Sequence, residues 1–389
     1  MSIRPIAIHL PQFHPIPEND EWWGKGFTEW RNVTRARPKF RGHYQPHLPA
    51  DLGFYDLRLA EVRAQQAELA RTYGIYGFCY YHYWFTGKRI LDRPVREILE
   101  AGAPDFPFML CWANENWTRA WDGSEKTVIL RQEYSAEDIR AHAEHLIPYF
   151  LDPRYIRVDG RPAFIIYKDS DISDIRETLR IYREVAKAHG LELYLMRFLR
   201  RKGTGVETPQ ELGFDAEAEF QPLSHSLHEM NRVNKRSISK VIRRALRFGI
   251  RQLSSESVQG FVARNSTLLD VVESYPDFVD FDLAYTSSHP SVAASPRYPC
   301  VSPGWDNSSR RRHGGATIFT DSSPTDFQRW VSGKVANFTP PTPDENFLFI
   351  NAWNEWAEGN HLEPCLAYGH AYLEALRDGV AHGLGKRRR

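Results

Sequence analysis

Near the end of the chain the stretch "NFLFINAWNEWAEGNHLEP" (346–364) sets two carboxylates, Glu355 and Glu358, three residues apart among Trp353, Asn354 and Trp356. Two carboxyls in unequal environments are the usual apparatus of glycosidic bond chemistry, one protonated to serve a leaving oxygen and the other ionised. Indole rings beside them offer a flat face to sugar C–H groups and an apolar wall that raises a neighbouring carboxyl pKa. Acids at this spacing are also common on solvated helix surfaces. Here, however, the pair ends an apolar, strand-like run.

On a strand, side chains alternate between faces. That places Leu348, Ile350 and Ala352 toward a helical layer and Phe349, Asn351, Trp353 and Glu355 toward the interior. Glu358 reaches the same pocket only if the chain leaves the strand, which Gly359 permits.

Elements that must position such a pair are legible in the period and punctuation. Apolar strand candidates occur at 4–10, 75–85, 106–114, 162–168, 191–199, 214–220, 298–305 and 346–353, and helical patterns at 56–73, 91–102, 136–150, 172–189, 266–275, 324–337 and 367–381. Eight alternations of this kind point to an α/β fold, a closed (β/α)8 barrel, before an open doubly wound sheet. The chain then reads as one domain over 1–389, with 224–265 as an insertion that breaks the alternation.

Active sites of parallel α/β folds lie at strand C-terminal ends, and several strands here run into polar, aromatic loops. Gln12 and His14 follow the first strand, and Glu29 and Trp30 lie farther along its loop; Tyr81, His82 and Trp84 end the second. The third ends in Trp112, Asn114, Glu115, Asn116 and Trp117, where amides suit vicinal hydroxyls and indoles suit ring faces. Glu219 ends the sixth as a candidate third acid, and Trp305, Asp306 and Asn307 follow the seventh. All are candidate substrate contacts, with Glu355 and Glu358 as the catalytic pair.

Composition narrows the classes. The 389 residues hold 50 Lys plus Arg against 49 Asp plus Glu, so net charge calls for no nucleic-acid or membrane partner. Aromatic residues reach 13%, with 11 Trp and 18 Tyr, a share suited to a sugar cleft. Cys79, Cys111, Cys300 and Cys365 lack metal or disulfide spacing and read as buried thiols. The start shows no secretory leader and no stretch nears a membrane span, so the reading is cytoplasmic. One patch departs from the balance: residues 228–252 carry eight Lys or Arg and one acid, with Ile238, Val241, Ile242 and Phe248 at helical spacing. That pattern fits either a solvated insertion or an amphipathic helix on an anionic membrane.

Two other classes remain open. Asp169 and Asp171, or Asp280 and Asp282, form D-x-D patterns of the kind by which nucleotide-sugar transferases hold a metal-diphosphate. No Gly-rich phosphate loop accompanies them. A non-catalytic glycan-binding barrel is the third class.

The stretches "LPQFHPIPENDEWWGKGFTEW", "GHYQPHLPADLGFYDL", "YGIYGFCYYHYWFTGKRIL", "FPFMLCWANENWTRAWDG", "PGWDNSSRR" and "NAWNEWAEGNHLEP" resemble bacterial lipopolysaccharide-biosynthesis glycosyltransferases of the WbsX type, which contain a glycoside hydrolase family 99-like domain. The resemblance spans nearly the whole chain except roughly 224–265. It implies a (β/α)8 barrel acting on α-linked sugars such as mannose, with no cofactor or metal and a glycan or lipid-linked oligosaccharide as substrate. It further implies that Glu355 draws the proton from the substrate's own 2-hydroxyl, giving an anhydro-sugar, while Glu358 is general acid and base. Hydrolysis and transfer differ only in the acceptor, water or an alcohol, and both stay open.

Overall fold

The computed structural model describes residues 2–119, 124–199, 208–222, 227, 229–230, 270–288, 296–311 and 314–387. Apart from Glu229 and Met230, the basic segment 228–252 lies outside the described residues.

Each apolar run expected to be a strand contains one: β1 Arg4–His9, β2 Gly77–Phe85, β3 Phe108–Trp112, β4 Arg161–Ile166, β5 Tyr194–Leu199, β6 Ala216–Glu219, β7 in two pieces, Arg297–Tyr298 and Cys300–Val301, and β8 Phe347–Ile350. They pair in parallel in the order β1, β2, β3, β4, β5, β6. The first piece of β7 continues the ladder on β6, the second pairs with β8, and β8 returns to β1, so the sheet closes on itself. Pro299 divides β7 because it has no N–H to give; its carbonyl still accepts from Phe349 N at 2.9 Å. Every residue of β2 is buried, as a barrel strand walled by side chains inside and helices outside must be. The (β/α)8 expectation holds.

Among the described residues, the helices that follow the barrel strands include α1 Ala60–Thr72, α2 Arg93–Ala101, α3 Ala136–Leu151, α4 Ile175–Ala188, α5 Pro209–Leu212, α6 Tyr275–Ser288, α7 Pro324–Asn337 and α8 Ala371–Arg387. Their starts follow from local capping. Ser135, Asp174 and Ser323 accept from backbone N–H groups in the first turns of α3, α4 and α7, and Thr208 with Glu211 forms a reciprocal capping box on α5. Gly379 and Gly383 let α8 lie close on α7: an added Cβ would stand 2.8 and 2.6 Å from the Cβ atoms of Val331 and Val335.

The helix expected at 266–275 is corrected. Val271–Ser274 is instead a strand, paired in parallel with Thr317–Thr320 outside the barrel, and α6 begins at Tyr275. β-Branched Val271 and Val272 favour the extended form, and Pro276 is tolerated only in a first helical turn.

Candidate active site

Regular strand structure in β8 ends at Ile350. Beyond it Asn354–Glu355 pairs antiparallel with Asn360–His361 across the short helical turn Trp356–Glu358. Gly359 closes that turn at φ +57°, and an added Cβ there would meet Asp306 Cβ at 3.0 Å. The fold-back brings both carboxylates to one cavity, as the turn at Gly359 was expected to allow. It also removes Trp353 from the interior face. The alternation argument needs a continuing strand, and Trp353 instead packs on Phe78 outside the barrel wall, fully buried.

The β7 loop is stitched to this turn. Asp306 N donates to Glu358 O at 2.6 Å, and Ser309 Oγ donates to Ala357 O at 2.5 Å. The Asp306 side chain accepts from Ser308 N and so starts the short helix Asn307–Arg310. Arg310, at its end, faces the two glutamates. Its Nη1 lies 2.5 Å from Glu358 Oε1, and its Nη2 lies 2.8 Å from Glu355 Oε2 and 2.9 Å from Glu29 Oε1. Glu29, fully buried, precedes the helix Trp30–Arg35 in the β1 loop, and its other oxygen has no partner among the described residues. One guanidinium thus joins three acids from three loops.

Burial drives the electrostatics. It pushes the Glu355 carboxyl up to about 8, with Arg310 opposing the rise and Glu358 and Glu29 adding to it. Burial raises Glu358 as well, again against Arg310. Glu355 and Glu358, both raised by burial, therefore hold protons to higher pH than free carboxyls do. Tyr81 and Tyr83 are pushed well up by burial, with Glu355 adding, and remain hydroxyl donors.

The cavity above this cluster measures about 380 Å3. Trp23, Tyr81, Tyr83, Trp117, Tyr167, Phe220 and Trp305 supply its aromatic surface, and Gln12, Glu115, Asn116, Asn307, Arg311 and Asn351 its polar surface. Gln12 Nε2, Trp305 Nε1 and Asn351 Oδ1 are buried there without partners among the described residues. Unpaired donors and acceptors beside aromatic rings suit a ligand rich in hydroxyls.

Of the residues singled out in the sequence, Gln12, Tyr81, Glu115, Asn116, Trp117, Trp305, Asn307, Glu355 and Glu358 line this cavity. The others do not, and most of them have structural partners elsewhere; Glu29 reaches the site through Arg310. His82 and Trp84 lie on the outward face of β2: His82 Nε2 is 2.9 Å from His142 Nε2, and Trp84 Nε1 donates to Asp138 on α3. Trp112 is fully buried against His142 and Tyr182. Asn114 bonds both the N–H and the carbonyl of Lys168 at 2.8 Å, tying the β3 and β4 loops together. Glu219 accepts from Lys334 Nζ at 2.7 Å in the helical layer. Asp306 holds His43 Nε2 and Gln45 Nε2, each at 2.6 Å, and borders a second cavity instead. His14 is buried with neither ring nitrogen partnered among the described residues, and burial lowers it to about 4. Trp30 packs on Trp356, while Asn354 and Trp356 face the protein behind the glutamates.

Sequence reading missed Arg310, Arg311, Trp23, Tyr83, Tyr167 and Phe220. Tyr83 was within reach, two residues from Tyr81 on the same face. Arg310 had one signal, the requirement of two buried acids for a nearby cation. The D-x-D acids are engaged elsewhere. Asp169 pairs with Arg197 at 2.8 Å and Asp171 with Lys168 at 3.0 Å; Asp280 pairs with Arg329, and Asp282 with Lys334 at 2.8 Å. None lines the cavity.

A family model described as glycosyltransferase WbsX matches residues 5–376. The chain belongs to the WbsX glycosyltransferase family. Among curated proteins this WbsX-family chain is 39% identical over 376 residues to the uncharacterized protein WxcX of Xanthomonas campestris pv. campestris, in strains ATCC 33913 and B100. The match takes in 96% of the chain and 49% of WxcX, so the chain spans about half the length of these relatives. Among solved structures it is similar to the GH99 endo-alpha-mannosidase from Bacteroides thetaiotaomicron in complex with BIS-TRIS-propane, with TM-score 0.59, 11% identity and coverage of 99% and 98% of the two chains. A glycoside hydrolase-like protein aligns with TM-score 0.57 and 14% identity over 97% and 94%. At these identities the structural likeness speaks for the fold alone.

Proposed function

We propose that this chain transfers an α-linked, mannoside-like sugar onto a glycan in the assembly of lipopolysaccharide O-antigen or a related surface polysaccharide, with Glu355 and Glu358 as the reacting pair. The observation that carries the reading is the clasp of Arg310 on both glutamates beneath an aromatic cavity with unpaired polar atoms.

The chemistry follows from the carboxyls. A carboxylate whose pKa is raised toward 8 pulls harder on a hydroxyl proton than an ordinary one. Glu355 takes the proton of the donor's 2-hydroxyl as that oxygen bonds to C1, the bond from C1 to the leaving oxygen breaks, and Glu358 gives its proton to the leaving oxygen. In the second half Glu358 takes the proton of an acceptor hydroxyl, whose oxygen attacks C1. The 2-oxygen departs and recovers its proton from Glu355, so both acids return to their starting states. Arg310 steadies whichever carboxylate carries the charge.

Among the described residues no helix is long and apolar enough to cross a membrane. In this proposal the enzyme works in the cytoplasm, with 228–252 making peripheral contact with the anionic inner membrane beside a lipid-linked oligosaccharide.

Incubation with nucleotide-sugars, lipid-linked glycans and α-mannosides, with products identified by mass, tests the reading. A glycan acceptor heavier by whole sugar residues is expected. Release of free oligosaccharide alone would favour endo-α-mannosidase-like hydrolysis, the reading that the endo-alpha-mannosidase fold likeness supports.

A further inference from the structure

Behind the two glutamates lies a third. Glu363 is 2% exposed and does not line the catalytic cavity. Its Oε1 accepts from Gln66 Nε2 at 2.7 Å. Its Oε2 accepts from Trp356 Nε1 at 2.6 Å and from Tyr55 Oη at 2.8 Å. Among the described residues no cation pairs with it, so three neutral donors stabilise the carboxylate. Burial still pushes its carboxyl up to about 7, against those donors.

The donors are not scattered. Trp356 follows Glu355 in the chain. Tyr55 Oη in turn accepts from Asn354 Nδ2 at 3.1 Å, and Asn354 precedes Glu355. The Asn354 amide also clasps Leu10 at both its N–H, 2.7 Å, and its carbonyl, 3.0 Å, which ties the segment to the end of β1. Both chain neighbours of Glu355 are therefore held by one buried carboxylate, directly on one side and through Tyr55 on the other.

We propose that Glu363 is a positioning residue for the catalytic pair: by accepting from Trp356 and Tyr55 at once it fixes the peptide segment that aims Glu355 at Arg310. The proposal rests on Glu355 and Glu358 being the reacting acids. Only a carboxylate satisfies the site as built, since Gln66, Tyr55 and Trp356 all present donors. An amide in its place sets an NH2 group against one of these donors, and aspartate falls one methylene short.

The test uses the full chain carrying 13C-labelled glutamate carboxyls, followed by NMR across pH. In Glu363→Gln the titration midpoint of Glu355 is expected to move by at least about half a pH unit, because its distance from Arg310 changes. Turnover of the donor and acceptor pair found by mass is expected to fall at least about tenfold with KM changed less than about threefold. A Glu355 midpoint identical to that of the unaltered chain overturns the proposal. Trp356→Phe removes a single N–H donor, keeps an aromatic ring beside His361, and reads the same midpoint if Glu363→Gln does not fold. The two readings fail separately. Full turnover in Glu355→Gln would end the catalytic assignment, while a moved Glu355 midpoint in Glu363→Gln would still establish the positioning.

Discussion

Arg310 Nη2 stands 2.8 Å from Glu355 Oε2, a contact between the β7 and β8 loops with the arginine side chain 13% exposed. An ion pair this buried does not simply add stability, because desolvation offsets much of the attraction. What it does is hold in one place a carboxylate whose pKa burial has raised to about 8.

If the two acids divide the labour as proposed, Glu355→Gln and Glu358→Gln each lower turnover at least about 100-fold and leave glycan binding largely intact. Steady-state kinetics with calorimetric binding checks this, with folding followed by circular dichroism. Turnover at the unaltered rate in either variant would refute the assignment.

Arg310→Met strands three acids without their shared cation. Stability is expected to drop by about 3 kcal/mol in urea denaturation, and the Glu355 midpoint to rise further, since the charge opposing its protonation is gone. Arg310→Lys keeps the charge but loses the planar fork, so it should recover part of the stability and little of the turnover.

Activity is expected to survive EDTA and the double change Asp169→Ala, Asp171→Ala within about threefold, because the proposed mechanism uses a carboxylate pair and those aspartates pair with Arg197 and Lys168. Strict Mn or Mg dependence abolished by the double change would restore the nucleotide-sugar class.

Stability should peak near neutral pH. Seven histidines, His9, His14, His47, His82, His142, His145 and His361, are lowered from 6.5 by burial. As pH climbs to about 6.5 the unfolded chain gives up imidazole protons that the folded chain never held, which favours folding. Asp138, Glu355, Glu358 and Glu363 act in the opposite sense: burial raises them, so the folded chain keeps protons that the unfolded chain loses, and raising pH costs stability. The imidazoles are more numerous below about 6.5. Above it only the carboxyls count, up to about 8 for Glu355. Differential scanning calorimetry should show Tm rising from acid to near-neutral pH and then declining toward pH 8.5. A steady decline from pH 5 upward would contradict neutral, buried imidazoles.

Liposome flotation tests the basic segment. Binding is expected to rise with anionic lipid, fall with salt, and weaken when Arg243, Arg244 and Arg247 become Glu, at roughly 1 kcal/mol per charge near the surface. Equal partitioning onto neutral and anionic vesicles would rule out the electrostatic contact.

Eight strands, six of the helices in outline, and the place of Glu355 and Glu358 after the last strand were legible in the chain because their signals are local. Short apolar runs, helical spacing and a glycine where the backbone must turn all act over a few residues. The same local logic failed where the element ended earlier than its apolar run, which is why Trp353 packs outside the barrel wall. It also could not say which face of a wholly buried strand looks inward, so His82 and Trp84 stood beside Tyr81 as equals until α3 covered them. Arg310 lies 45 residues from Glu355 and 281 from Glu29, separations at which no pattern along the chain links a cation to its acids. Only barrel closure, which gathers the C-terminal ends of β1, β7 and β8 on one rim, decides that three loop carboxylates share a single guanidinium. Burial there then sets their protonation.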